Sequence, residues 1–125
     1  MDTVLAELTG QMAIAFAPLM LLVCLAGVTL GILWGAMPGL STTMAMALLI
    51  GLSTGMTQHV AVMFMLGVYT GSVFGGAISA VLINIPGTPD AVPTMIEGYP
   101  LAQRGEGGLA LGTAIAALSN ATVLL

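Results

Sequence analysis

The stretch GILWGAMPGLSTT, residues 31–43, decides the fold: a glycine-spaced apolar segment runs into Pro38-Gly39 and then into hydroxyl residues. The same order returns in GSVFGGAISAVLINIPGTP, residues 71–89. Proline stops a helix and glycine permits the turn that follows. Unpaired backbone groups are so costly in a bilayer that a break persists there only where protein or a water-filled cavity covers it. Broken helices in a membrane protein therefore indicate a substrate or ion site.

Composition indicates a membrane protein. Of 125 residues, 58% are hydrophobic and 5% are charged, and the mean hydropathy is +1.13. A soluble domain of this length could not bury so much apolar surface in one core. The net charge of −4 and the single Arg exclude nucleic acid as a partner, because phosphate binding needs clustered Lys and Arg. The expected surroundings are the lipid bilayer.

Segment lengths predict an all-α fold, a polytopic transmembrane helical bundle with discontinuous or re-entrant helices in a single domain over residues 1–125. The predicted segments alternate between spans and connections: spans at 11–36 and 60–85, a half-helix or re-entrant hairpin at 40–56, a polar connection at 86–108, and a third span from 109. The run from 109 to Leu125 has a length near the lower limit for a transmembrane span. We therefore expect the N-terminal portion of a longer protein.

Glycines recur at every fourth position on both predicted spans. Spacing by four places small residues on one helix face, where another helix can approach closely. The two stripes are Gly27, Gly31 and Gly35 on the first span and Gly67, Gly71, Gly75 and Ser79 on the second. This pattern predicts a bundle of several helices rather than a lone anchor.

The two Pro-Gly breaks supply the candidate site. Free N–H groups at the start of the following helix favour an anion, whereas carbonyl and hydroxyl oxygens beside the break suit a small cation. The predicted site residues are those at or next to the breaks: Pro38, Gly39, Ser41, Thr42, Asn84, Pro86, Gly87 and Thr88. A pair of tight turns at the membrane surface remains the structural alternative. No cofactor or metal cluster is expected.

The ion that would couple to such a site is expected to be Na⁺, with H⁺ as the alternative. The range from Leu8 to Pro89 contains no carboxylate that could relay protons. Asp90, immediately after the second break, is the residue that could change this expectation.

Four motifs in order resemble the large membrane subunit of the tripartite tricarboxylate transporters: GILWGAMPGL at 31–40, LGVYTG at 66–71, NIPGTP at 84–89 and EGYPLA at 97–102. The resemblance implies a multi-pass permease of the bacterial inner membrane, with a small membrane subunit and a periplasmic substrate-binding protein as partners. It also implies uptake of carboxylates such as citrate, driven by an ion gradient. A small glycine-rich pore-forming or membrane assembly protein is the alternative.

An enzyme is not expected, although Gly51-Leu-Ser53-Thr-Gly55 fits the G-x-S-x-G pattern and His59 follows closely. A nucleophile elbow needs a strand that enters the turn and an acid that orients the base. The sequence around residues 51–59 shows neither.

Overall fold

The computed structural model describes the backbone of residues 2–124 and the side chains of residues 3–117. Within that range the chain forms six α-helices and no strand, so the prediction of an all-α fold is confirmed. The elements in chain order are α1 (Asp2–Ala15), α2 (Pro18–Gly35), α3 (Thr42–Ser53), α4 (Gln58–Ile83), a 3₁₀ turn (Pro89–Ala91), α5 (Val92–Gln103) and α6 (Gly107–Leu124). Of the described helices, α2 and α4 are long and apolar enough to cross a membrane.

The first predicted span, 11–36, is divided in the structure, which corrects the prediction of one continuous helix. α1 ends at Ala15, and Ala17 has extended backbone angles, φ −60° and ψ 141°. Pro18 then occupies the first turn of α2, where its missing N–H costs no hydrogen bond. Its ring disfavours helical geometry at the preceding residue. Apolar composition alone could not reveal this break, but Pro18 could.

The later segments follow the predicted order with shifted ends. The span predicted at 60–85 is α4, and the segment predicted at 40–56 contains α3. The polar connection predicted at 86–108 is largely helical, because α5 forms within it despite Pro100. α6 begins at Gly107, close to the predicted position 109, and Leu125 lies outside the described residues.

α2 and α4 pack side by side in parallel, with their glycine stripes facing each other. A Cβ on Gly31 would lie 2.8 Å from the backbone nitrogen of Ser72, and one on Gly75 would lie 2.5 Å from the carbonyl oxygen of Ile32. Real Cβ atoms do not approach other atoms this closely. The two backbones are therefore in direct contact, and only glycine fits at these positions.

α3 returns the chain from the end of α2 to the beginning of α4. Thr42, at its start, meets Ser72 in the second half of α4, while Ala45 and Leu49 share a buried cluster with Phe64 and Val68. α3 therefore runs antiparallel to α4. This connection leaves one end of the parallel α2–α4 pair and reaches the other end. Such a path fits a half-helix over residues 40–56 rather than a re-entrant hairpin.

Candidate functional site

The two Pro-Gly breaks come together in one place. A pocket of about 250 Å³ is lined by residues that follow α2 and residues that follow α4: Gly39, Ser41, Pro86, Gly87, Thr88 and Pro89. Because α2 and α4 are parallel, their C-terminal ends lie at the same end of the pair. Parallel packing thus brings two breaks 48 positions apart in sequence to a single pocket.

The first break is a short non-helical link between α2 and α3. The N–H of Ala36 donates to the carbonyl of Ile32 at 2.9 Å and closes α2. Gly39 has φ +91°, a left-handed conformation that favours glycine. Ser41 then caps α3, and its hydroxyl oxygen accepts the N–H of Met44 at 3.2 Å. The first turn of α3 thus begins at the edge of the pocket.

The second break folds back onto the helix that precedes it. α4 ends at Ile83, and Asn84 takes the left-handed conformation, φ 57° and ψ 29°, that reverses the chain. The N–H of Gly87 reaches the carbonyl oxygen of Gly76 at 3.5 Å. A Cβ on Gly87 would collide with the carbonyl oxygen of Gly35, the last residue of α2. Glycine is required here because three backbones meet.

Thr88 is the most enclosed polar residue of the pocket. It is 2% exposed, and its side chain lies against Gly76, where a Cβ would be 3.0 Å from the Thr88 methyl carbon. The hydroxyl oxygen of Thr88 is buried and has no hydrogen-bond partner. Nearby, Ser79 donates its own hydroxyl to the Gly76 carbonyl at 3.0 Å. The pocket therefore contains one unsatisfied hydroxyl at its inner wall.

Three predicted site residues lie outside the pocket lining. Pro38 and Asn84 are exposed, and both shape the chain at the breaks. Thr42 is buried in the bundle, where its hydroxyl oxygen accepts a hydrogen bond from Ser72 at 3.2 Å. The structure places Pro38 and Asn84 in the turns and Thr42 in a packing contact between α3 and α4.

Sequence reasoning missed Pro89 as a lining residue and Ser79 as a neighbour of the site. The signal for Ser79 was present, because it continues the stripe of small residues on α4. The stripe was interpreted only as a helix-packing surface.

No charged side chain lines this pocket. Asp90, two residues beyond Thr88, instead lines a neighbouring cavity of about 220 Å³ together with Thr94. Among the described residues, no group of three or more His, Cys, Asp or Glu is placed to hold a metal ion. The pocket can offer hydroxyl groups, backbone carbonyls and the N-terminus of α3 to a ligand.

Comparison with known proteins identifies the family. The model of the tripartite tricarboxylate transporter TctA family matches residues 21–124. The chain belongs to the TctA family. The resemblance seen in the sequence motifs is thereby confirmed. Family membership and apolar helices together identify it as a membrane protein.

The TctA chain is also 35% identical over 100 residues to an uncharacterised 52.8 kDa protein of the TAR-I ttuC' 3' region of Agrobacterium vitis. The alignment covers 80% of this chain and 20% of the relative, so the chain spans about a fifth of the relative's length. No solved structure matches the TctA chain described here.

Proposed function

We propose that this chain forms part of the large, multi-pass membrane subunit of a secondary transporter in the bacterial inner membrane. Its activity is uptake of tricarboxylates such as citrate, driven by an ion gradient and without enzymatic chemistry. A periplasmic substrate-binding protein delivers the carboxylate, and a small membrane subunit completes the complex. Membership of the TctA family supports this proposal.

The observation that carries the proposal is the convergence of both Pro-Gly breaks on one pocket. The first turn of α3 offers backbone N–H groups at this pocket, and Ser41 already satisfies the N–H of Met44. A helix N-terminus stabilises an anion by about 0.3–1 kcal/mol, and by up to ~2 kcal/mol when partly buried. This is modest for a multiply charged carboxylate.

A bound cation would offset the missing basic side chains. We propose Na⁺ as this coupling ion, with H⁺ as the alternative, because the pocket lining contains no carboxylate to carry a proton. Na⁺ binding beside released helix carbonyls is an established arrangement in secondary transporters with broken helices.

The test is citrate uptake into proteoliposomes that contain the full-length subunit, its small membrane partner and the binding protein. We expect uptake to require the binding protein and an inward Na⁺ gradient, and to fall when choline replaces Na⁺. Uptake driven equally well by a proton gradient would favour H⁺. Passage of citrate and unrelated solutes without binding protein or gradient would contradict the transporter proposal and favour the pore alternative.

A residue-level test compares two serines. Ser41→Ala removes the cap of α3 at the pocket, a loss of about 0.5–2 kcal/mol for the helix, and we expect it to weaken uptake. Ser53→Ala is the matched control, because the Ser53 hydroxyl donates only to the Ile50 carbonyl of its own helix at 2.7 Å. Equal uptake by both variants would remove the α3 N-terminus from the proposed site.

A further inference from the structure

We propose that α1 lies along the surface of the bilayer, beside the point where α2 enters the membrane, with one face in contact with lipid acyl chains. This surface lies outside the pocket formed by the two breaks, because no residue of α1 lines that pocket. Its contact with lipid does not depend on which solute the protein carries.

α1 is too short to cross a membrane by itself. It has 14 residues, and at about 1.5 Å per residue it is about 21 Å long, whereas the hydrocarbon core of a bilayer is about 30 Å thick. The chain also changes direction where α1 ends. The N–H of Ala17 donates to the Ile14 carbonyl at 3.1 Å, and Ala17 itself has extended backbone angles before Pro18. α1 is therefore a separate helix and not the first part of the span formed by α2.

The last turn of α1 lies beside the first turns of α2 and α4. These helices surround a cavity of about 200 Å³, which is lined by Gln11, Ile14, Ala15, Met20, Gln58, His59, Val62 and Met63. Because α2 and α4 are parallel, the cavity lies at the end of the pair where both helices begin. Gln58 and His59 are exposed there, and such polar side chains are costly at the depth of the hydrocarbon core. α1 therefore joins the bundle at the level of the membrane surface.

The described part of the chain leaves α1 uncovered. Every residue from Thr3 to Ile14 is exposed. Positions four apart are neighbours on a helix, and they form an apolar stripe of Val4, Leu8 and Met12, which are 58%, 54% and 60% exposed. The other face carries Thr3, Glu7 and Gly10. A stripe of this kind is stabilised by apolar surroundings on one side and by water or headgroups on the other.

The neighbouring surface identifies lipid as the partner of the stripe. Phe16 follows Met12 by four positions and donates its N–H to the Met12 carbonyl at 3.1 Å, so it extends the stripe up to the start of α2. Phe16 is 70% exposed, and Leu19 and Leu22 in the first turns of α2 are 62% and 64% exposed. α2 is apolar and long enough to cross a membrane. The stripe of α1 thus continues into the apolar surface of a span.

Burial of apolar side chains, and not charge, would hold α1 at the bilayer. The helix contains Asp2 and Glu7 and no Lys or Arg, so anionic headgroups do not attract it. Interfacial helices bury their apolar face about 5–10 Å into the boundary between headgroups and acyl chains. A bilayer of uncharged phosphatidylcholine should therefore be sufficient, and Glu7 should remain among the headgroups.

The experiment uses the full-length subunit in vesicles of phosphatidylcholine, without carboxylate and without an ion gradient. Cysteines are introduced one at a time at positions 3–13 in a background without native cysteines, which includes Cys24→Ala, and each is labelled with a nitroxide. Electron paramagnetic resonance then compares the accessibility of each label to oxygen, which concentrates in the acyl chains, and to a water-soluble nickel reagent.

Labels at Val4, Leu8 and Met12 should be several-fold more accessible to oxygen than to nickel, and they should lie at similar depths of about 5–10 Å. Labels at Thr3, Glu7 and Gly10 should show the opposite preference. Because all these positions are exposed, the labels should not disturb the fold.

Leu8→Asp tests whether the stripe holds the helix in place. A label at Met12 should become several-fold more accessible to nickel in this variant, because a charge now lies in the apolar stripe. Ala6→Asp is the matched control, since it adds the same charge on the other face of α1, where Ala6 is exposed. It should leave the label at Met12 unchanged.

Three results would overturn the inference. Labels on the stripe that neither reagent reaches would mean that protein covers α1, either another part of the subunit, a partner or a second copy. Labels reached mainly by nickel would place the helix in water. A depth that increases steadily from Val4 to Met12 would make α1 part of a span. None of these results bears on carboxylate transport, which the uptake assay tests separately.

Discussion

Replacing Gly71 by alanine tests how closely α2 and α4 pack. A Cβ at this position would lie 2.9 Å from both the carbonyl carbon and the Cα of Val28, and closer to its carbonyl oxygen. Carbon atoms prefer separations of about 3.5–4.0 Å, so the two helices must separate by roughly 0.6 Å or more. Because the obstacle is backbone, no side-chain rotation can relieve it.

The expected cost follows from two opposing terms. Overpacking of a tight contact destabilises by about 1–3 kcal/mol, and a rigid backbone obstacle favours the upper end. The higher helix propensity of alanine stabilises α4 by up to about 1 kcal/mol and so offsets part of this loss. We therefore expect a net loss of about 2 kcal/mol, which is roughly a 30-fold change in the folding equilibrium.

The assay is unfolding of the full-length subunit in mixed micelles as SDS is added, followed by circular dichroism. Gly112→Ala in α6 is the control, because a Cβ there would meet nothing within 4 Å. It should be unchanged or up to about 1 kcal/mol more stable. If Gly71→Ala unfolds at the same SDS fraction as Gly112→Ala, the two helices do not pack at the distance described.

Three further outcomes follow from the breaks. Gly39→Ala should lower citrate uptake while the amount of protein in the membrane stays the same, because a φ of +91° costs an L-residue about 1–2 kcal/mol. Gly51→Ala is the control and should leave uptake unchanged, because a Cβ on Gly51 in α3 would meet nothing within 4 Å. Asn84→Val should destabilise the subunit in SDS titration by about 1–2 kcal/mol, whereas Asn84→Gly should not, because glycine accepts the left-handed conformation. Asp90→Asn should preserve Na⁺-dependent uptake; loss of ion dependence would assign coupling to this carboxylate.

Composition and glycine spacing predicted much of the fold because both act locally. The apolar runs became helices, and the stripes containing Gly31 and Gly71 lie in contact as small residues on one face allow. The division of the first span at Pro18 was missed, although proline restricts the residue before it wherever it occurs.

The site was less accessible from the sequence because it depends on which helices are parallel. Thr42 and Thr88 each follow a Pro-Gly break, yet the Thr42 hydroxyl is paired with Ser72 while the Thr88 hydroxyl is unpaired. That difference comes from the return path of α3 and the fold-back after α4. Both are long-range features, and no local pattern of residues encodes them.

The parallel pairing of α2 with α4 also affects synthesis of the chain. Gly67 follows Gly27 by 40 residues, and Gly71 follows Gly31 by the same interval. A ribosome that adds about 5–20 residues per second needs roughly 2–8 s to supply this interval. During that time α2 has been made, but the backbone surface that covers its glycines does not yet exist. A nascent chain that stalls before α4 therefore presents the glycine face of α2 without the helix that covers it in the finished subunit.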